Sequence, residues 1–568
     1  MQILFTMMKR NKVIPEYQPR GIAQTLQTSM VRLLVAILPL LPFPVLAQNN
    51  ADFEVIVNSN GDEIIADDNL TLREAIAIVN GDLELNSLST TESSQISGNL
   101  SERTKQISFN LPPNQTTITL SELLPEIRTP NVTLDGTTQQ GYEGFEELNP
   151  GIPTPVVSLT RISPDNDENL LNPPIRGLTL VADNITVQGL RFYGFSAPPG
   201  GDTATVPAAD IFISAPQAPR DEIRYDVPAH PRDGNSPPQN ILIKFNILGL
   251  PPEDTQARQS AFGVYIFKGD DVSIINNIIA NQKGSGIISS IRANNLVIGD
   301  NIIENNGLIG MPDGIHLEGQ IANTRIQGNS IRNNGGSGIY IFKPEGAAII
   351  DNNVLNNNGA RYQRPAIYLS GSNHQVTQNR IANQPGAGVV VAGYPVPHRV
   401  SVTENQFLNV TGLTVDLNAQ PETGRPDRYN GDGRNAIPDT VLSDDSRELV
   451  EGDRYRRGIA NYGIMTPQFV SREFFRNATG EVTLFGMSEA GATIEIYGIV
   501  PDVDGDNQFP ISTTEADDKG RFQIRLPDIQ IVDIKRVSAI ATHPDYGTSE
   551  PALNATIGDI PSISGEAN

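Results

Sequence analysis

The chain is 568 residues long and carries 65 acidic against 41 basic residues, a formal net charge of −24. That balance excludes nucleic acid and anionic lipid surfaces as main partners, since both require a basic footprint. With no cysteine there is no disulfide framework, thiolate metal site or thiol nucleophile, and with no tryptophan any ring that stacks on a sugar must be tyrosine or phenylalanine.

Residues 1–47 read as an export leader. From Met30, "MVRLLVAILPLLPFPVLA" gives one basic residue, an apolar run and a small-x-small ending at Val45-Leu46-Ala47. Pro39, Pro42 and Pro44 make it a poor and short membrane span. Met30 alone opens a well-proportioned signal, so it is the expected translation start. The mature chain is expected outside the cytoplasm (secreted, periplasmic or on the outer surface), with no transmembrane segment.

Residues 48–103 form an N-terminal capping region. Within "LTLREAI", Thr71 and Glu74 have capping-box spacing, and Leu72, Ala75, Ile76 and Val79 share one apolar face. A short amphipathic helix is expected there, covering the open end of the repeats downstream.

Residues 104–416 repeat. "GVYIF", "GIISS", "GIHLE", "GIYIF", "AIYLS", "GVVVA" and "GLTVD" begin at 263, 286, 314, 338, 366, 388 and 412. Each unit holds a second run of the form apolar-x-x-Asn-x-apolar-x-Asn, with asparagines at Asn277, Asn301, Asn329, Asn352, Asn379 and Asn405 and again four residues later in each unit. Period-two alternation, β-branched residues and Gly/Asn punctuation specify short strands and tight turns. A unit this small gains a core only by stacking on its neighbours. The expected fold is all-β, a right-handed parallel β-helix, in which the asparagine row forms a ladder of side-chain amides donating and accepting along the stack. Proline- and charge-rich stretches at 139–176 and 196–239 are expected to be inserted loops.

The stretch "FEVIVNSNGDEIIADDNLTLREAIAIVN", followed by "ISFNLP" and "VTLDGTTQ", resembles the N-terminal domain of bacterial exported proteins known by a CSLREA-type motif, with Leu70 where that family often has cysteine. The resemblance spans roughly 53–412. It implies a secreted or envelope β-helix and no particular reaction.

Residues 417–470 are an acidic, proline-rich linker by composition. In 471–552, "GATIEIYG", "RFQIRLP" and "RVSAIATHPDYGTSEPA" read as alternating strands of a β-sandwich and look like the immunoglobulin-like modules of bacterial surface proteins. Residues 553–568 read as a tail.

Three sets of side chains can carry function. Alternation turns Ile339 and Ile341 inward and Tyr340 and Phe342 outward. With Tyr265, Phe267 and Tyr368 they make an outward aromatic stripe, flanked by Lys268 and Lys343, suited to stacking on sugar rings and meeting uronate carboxylates. Asp313, His316 and Glu318 form a candidate catalytic cluster. The Gly269-Asp270-Asp271 and Pro312-Asp313-Gly314 elements echo hydrolases of the polygalacturonase type, but in reversed order and without the G-H-G and R-I-K elements. Asp427, Asn430 and Asp432 in one loop, and Asp502, Asp504 and Asp506 in another, offer calcium-binding oxygens, the second loop with Thr513 where a calcium loop needs glutamate. The expected function is non-catalytic binding of polysaccharide or a surface partner. The alternatives are a polysaccharide lyase or glycoside hydrolase, or an envelope spacer.

Overall fold

The computed structural model describes residues 52–143, 153–162, 174–197, 208–216, 236–253, 255, 258–307, 311–393, 398–419, 430–435, 456–503, 505–528 and 534–559. The leader 1–47, Met30, Asp427, Asp504 and the end of the tail lie outside these residues. No helix among the described residues is long and apolar enough to cross a membrane.

Three sheets run side by side along the stack. One coil shows the path. Strand Val264–Lys268 lies on the third sheet, Asp270–Ile275 on the first and Ile278–Ala280 on the second, and Ile287–Arg292 then returns to the third, paired in parallel above Val264–Lys268. Ile266, Ile274, Ile279, Ile298, Ile303, Ile326, Ile331, Ile350 and Leu355 all point inward with no exposed surface. The right-handed parallel β-helix is therefore built as the periodicity requires.

The turn between the first and second sheets carries the asparagine ladder. Asn246, Asn277, Asn301, Asn329, Asn353, Asn379 and Asn405 each pass a side-chain N–H to the Oδ1 of the next, at 2.9–3.1 Å. Each Oδ1 also accepts the backbone N–H of the preceding asparagine. The ladder residue of the fourth repeat is thus Asn353, not Asn352. Asn352 takes the preceding left-handed position (φ 56°) at the surface. Two adjacent asparagines fit the period equally well, and only the turn geometry selects one. A second buried ladder, Gln282–Asn306–Asn334–Asn358, lines the turn into the third sheet. It leaves no room for side chains where third-sheet strands begin. A Cβ on Gly314 would lie 2.7 Å from the Gly338 carbonyl and 2.9 Å from Asn334 Nδ2.

The stack starts earlier than residue 104, since strand Phe53–Val57 already pairs in parallel with Lys105–Phe109. Helix Leu72–Asn80 has both halves of its capping box, Glu74 N–H to Thr71 Oγ1 and Thr71 N–H to Glu74 Oε2. It buries Leu72, Ala75, Ile76 and Ile78 in the same core as the first strands. The stretches expected as loops each contribute a strand, Ser158–Arg161 to the second sheet and Ala209–Ile213 to the third.

At the other end, the C-terminal strands pack directly on the last coil. Strand Asp506–Glu515 pairs antiparallel with Gln406–Val410 of the last coil and extends the second sheet through Thr493–Pro501 and Arg536–His543. A separate three-stranded sheet joins Gln468–Phe469, Val482–Met487 and Arg521–Leu526. Side chains serve the remaining edges. Asn461 bonds both backbone groups of Val400, Thr548 Oγ1 accepts Val402 N–H, Glu495 accepts Glu404 N–H and Glu550 accepts Leu417 N–H. Ala460, Asn461 and Ile464, from the expected linker, are buried, and residues 555–559 of the expected tail form a strand.

Candidate functional site

The third sheet carries every residue of the stripe and, of the acid–base cluster, His316 and Glu318, with Asp313 in the turn just before their strand Ile315–Gln320. One outward column runs Phe212, Tyr265, Ile288, His316, Tyr340, Tyr368, Val390 and Asp416 by register. Parallel strands in register are about 4.8 Å apart, so rings at one column position meet face to face. His316 stacks on Tyr340 at 4.9 Å between centroids, and Tyr340 on Tyr368 at 4.7 Å and 12°.

That stacking changes what the stripe offers. Tyr340 and Tyr368 point outward as expected but are each only 5% exposed, packed with Ala387, Val390 and Ala392. Their faces are spent on each other rather than presented to a sugar. Tyr265 and Phe267 are half-buried in a second side cluster with Phe212 and Phe262, and the Tyr265 hydroxyl lies 2.7 Å from Ser290 Oγ. Lys268 is buried, while Lys343 is exposed with its ammonium 5.0 Å from the Phe342 ring centroid. Of the proposed stacking platform, Tyr265, Phe267 and Phe342 stay half-buried and Lys343 is exposed.

Asp313, His316 and Glu318 do come together. His316 Nδ1 lies 3.0 Å from Asp313 Oδ2 and Nε2 lies 2.9 Å from Glu318 Oε1. Asp313 is fully buried and also accepts the Ser337 N–H at 2.8 Å, while Arg364 Nη1 lies 3.5 Å from its Oδ1. The Glu318 side chain is 37% exposed. Burial pulls the imidazole pKa down, but the hydrogen bonds and charges of the two carboxylates outweigh it and lift His316 to about 9. Near neutrality this is an imidazolium clamped between two carboxylates, with no nitrogen left as a base.

Among the described residues no group of three His, Asp or Glu side chains is arranged to hold a metal ion, and of the two loops expected to bind calcium, Asp427 and Asp504 lie outside those residues. Asp506 is turned to Arg536 (2.5 Å), and Asp502 accepts the Val503 N–H and an Asn507 side-chain N–H. Asn430 and Asp432 sit in a loop folded over the last coil, where Asp432 Oδ2 accepts the Ala419 N–H at 2.8 Å. The same loop places Gly433 N–H on Asp416 Oδ2 at 3.1 Å and Asn435 N–H on Glu550 Oε2 at 3.0 Å. Burial, then the charges of Asp432 and Glu550, push Asp416 up to about 8, and burial pushes Glu550 to about 7. Sequence reasoning missed this group, although Asp416 breaks the pattern by ending the last repeat, "GLTVD", with an acid on the ring column.

A sequence profile described as the right-handed beta helix region matches residues 253–417. A search of curated proteins finds no match. Among solved structures, the chain is similar to DFA-IIIase from Arthrobacter chlorophenolicus A6 in complex with GF2 (TM-score 0.31, 10% identity, 64% of this chain and 77% of that one). It is also similar to ORF18 of Geobacillus virus E2 (0.36, 10%, 89% and 76%) and to the tailspike protein of E. coli bacteriophage HK620 in complex with a hexasaccharide (0.29, 8%, 74% and 85%). Overlaps this loose transfer no activity. The repeat, its register and the matched region together make this chain an all-β protein built on a right-handed parallel β-helix.

Proposed function

We propose that this is an exported protein that binds polysaccharide on the third sheet of its β-helix without turning it over. The observation that carries the reading is the His316 clamp. It fixes Glu318 at the surface opposite Phe342 in the neighbouring strand, next to Lys343. A fixed carboxylate, an apolar ring edge and a cation on one rigid face match the mixed hydroxyl and C–H surface of a sugar chain. The same clamp argues against turnover, because a general base works best with a pKa near the operating pH and glycoside hydrolysis needs two carboxyls flanking the bond, whereas Asp313 is enclosed.

A carbohydrate-active enzyme is the second reading, favoured by one feature: buried, protonated His316 hydrogen-bonds the partly exposed Glu318, which holds a proton one hydrogen bond from the surface. A glycan-array screen of residues 48–568, with supernatants assayed for new reducing or unsaturated ends, separates the two. Binding without product, weakened by Glu318→Gln and Lys343→Gln, is the expected result. Product that disappears with His316→Ala overturns it in favour of the enzyme. Neither binding nor product leaves the solenoid as an envelope spacer. Export itself rests on the leader sequence and is tested by fractionating cells for the processed chain.

A further inference from the structure

Away from the His316 clamp, two clefts meet at Arg434. One, of about 570 Å³, runs along the rim of the last coils, with Gln363, Ala387, Leu413, Asp416 and Asn430 on its walls. The other, of about 440 Å³, continues onto the C-terminal strands past Asn435, Gln468, Phe469, Arg472 and Leu553. Both volumes fall in the range of small-molecule sites, roughly 300–1,000 Å³. The coil-side wall is kept low by glycine. A Cβ on Gly412 would lie 2.7 Å from Ala387 N, and one on Gly386 would lie 3.0 Å from the Arg364 carbonyl.

The charges along this path run against those of the chain. Arg434 and Arg472 are both exposed. Burial lowers the Arg434 pKa, the charge of Glu550 acts to raise it and the charge of Arg472 to lower it, so Arg472 and Glu550 both lie within electrostatic reach of Arg434. The one acid on the walls, Asp416, is buried and lies under the Gly431–Gly433 backbone, and its proton is held up to about pH 8. The clefts therefore present two exposed guanidinium groups on a protein of net charge −24, with the acid nearest Arg434, Glu550, held by the Asn435 N–H at 3.0 Å and largely buried behind the wall. Side-chain amides of Gln363, Asn430 and Gln468 supply donors and acceptors for hydroxyls, and Leu413, Phe469 and Leu553 supply apolar surface for C–H faces.

We infer that the two clefts joined at Arg434 form one track for an acidic oligosaccharide, whose carboxylates pair with Arg434 and Arg472. The inference rests on the glycan-binding reading and names the class of sugar and a second place where it docks. Guanidinium–carboxylate pairing is charge-assisted and strong, whereas a neutral sugar chain has nothing to offer the two arginines.

The test is calorimetric titration of the chain with an oligogalacturonate and with its methyl ester, at two salt concentrations. The acid form is expected to bind and to weaken with salt, and the ester to bind at least about tenfold more weakly, the loss of one charge-assisted hydrogen bond. Arg434→Gln and Arg472→Gln are each expected to cost about tenfold, with melting temperatures checked because both side chains are surface groups. Thr411→Trp, which fills the first cleft from an exposed position, is expected to block binding independently. Equal affinity for acid and ester overturns the inference, as does full binding by the Arg434/Arg472 double variant, and so does absence of binding to the acid form. If binding persists in the arginine variants but is lost with Glu318→Gln or Lys343→Gln, the track falls while glycan binding on the third sheet stands.

Discussion

The imidazole of His316 lies 4.9 Å from the ring of Tyr340, stacked on it, while its two nitrogens hold Asp313 and Glu318. The ring is thus enclosed on its face and at both polar corners, which explains how a buried histidine keeps its proton. Its folded pKa of about 9 exceeds the unfolded value of about 6.5. The folded state binds the extra proton, so this stabilisation is complete below about pH 6.5 and fades as pH rises through about 9, by an amount on the order of 3 kcal/mol. Thermal melts from pH 6 to 10 are expected to show a falling midpoint that flattens in His316→Gln. An unchanged slope in the variant counts against the clamp.

His374 behaves in the opposite way. It is fully buried, with Nδ1 accepting the Ala348 N–H at 3.0 Å and Nε2 bonded to the Ser370 carbonyl at 2.9 Å, an arrangement only the neutral ring satisfies. Burial lowers its pKa to about 4. Its contribution is present above about pH 6.5 and lost as pH falls toward 4. Acid unfolding followed by circular dichroism is expected to begin at lower pH in a variant that accepts a neutral side chain there, such as His374→Gln, than its neutral-pH stability alone implies.

Asparagines separated by a single position should differ sharply. Asn329→Ala removes a buried rung that bonds Asn301 on one side and Asn353 on the other, and leaves partners unpaired at about 1–3 kcal/mol per group. A loss of about 3 kcal/mol or more in urea unfolding is expected. Asn352→Ala touches no rung and gives up a left-handed backbone position, at about 1–2 kcal/mol, and a surface hydrogen bond from Asn352 Nδ2 to Asp351 Oδ2 at 3.2 Å. Equal losses would mean that the ladder does not carry the coil contacts assigned to it.

Asp416→Asn tests the acid group at the last coil. Asp416 has a folded pKa of about 8 against about 4 unfolded. The folded state binds more protons, so stability falls as pH climbs from about 4 to about 8 and is level above that. Hydrogen exchange at the Leu417 amide, which donates to Glu550, is expected to quicken relative to its intrinsic rate between pH 5 and 8 in the parent chain, and less so in the variant.

How much of the molecule is legible in its sequence depends on how local each interaction is. The coil fold, Ile339 and Ile341 facing inward and the meeting of Asp313, His316 and Glu318 are legible because each depends on neighbours within one repeat. The choice of Asn353 over Asn352 is not, since "DNNV" satisfies the period with either residue. Nor is the burial of Tyr340 and Tyr368, which depends on Ala387 and Val390 arriving from later coils. The pairing of Gln406–Val410 with Asp506–Glu515 joins residues far apart in sequence, and no local pattern announces it. The clefts at Arg434 inherit that blindness, because their walls come from six separate stretches between Gln363 and Leu553.

The bonds that Asn461, Glu495, Thr548 and Glu550 make to the final coil also set a limit on length. A parallel stack has no intrinsic stopping point, and each exposed strand edge is a template for another. Here each of the three sheets of the stack meets, at its last strand, a partner from the chain's own later residues. The number of rungs is thereby written into the molecule like the graduations of a ruler, and spacing along the third sheet is a fixed quantity against which a repeating polymer can be measured.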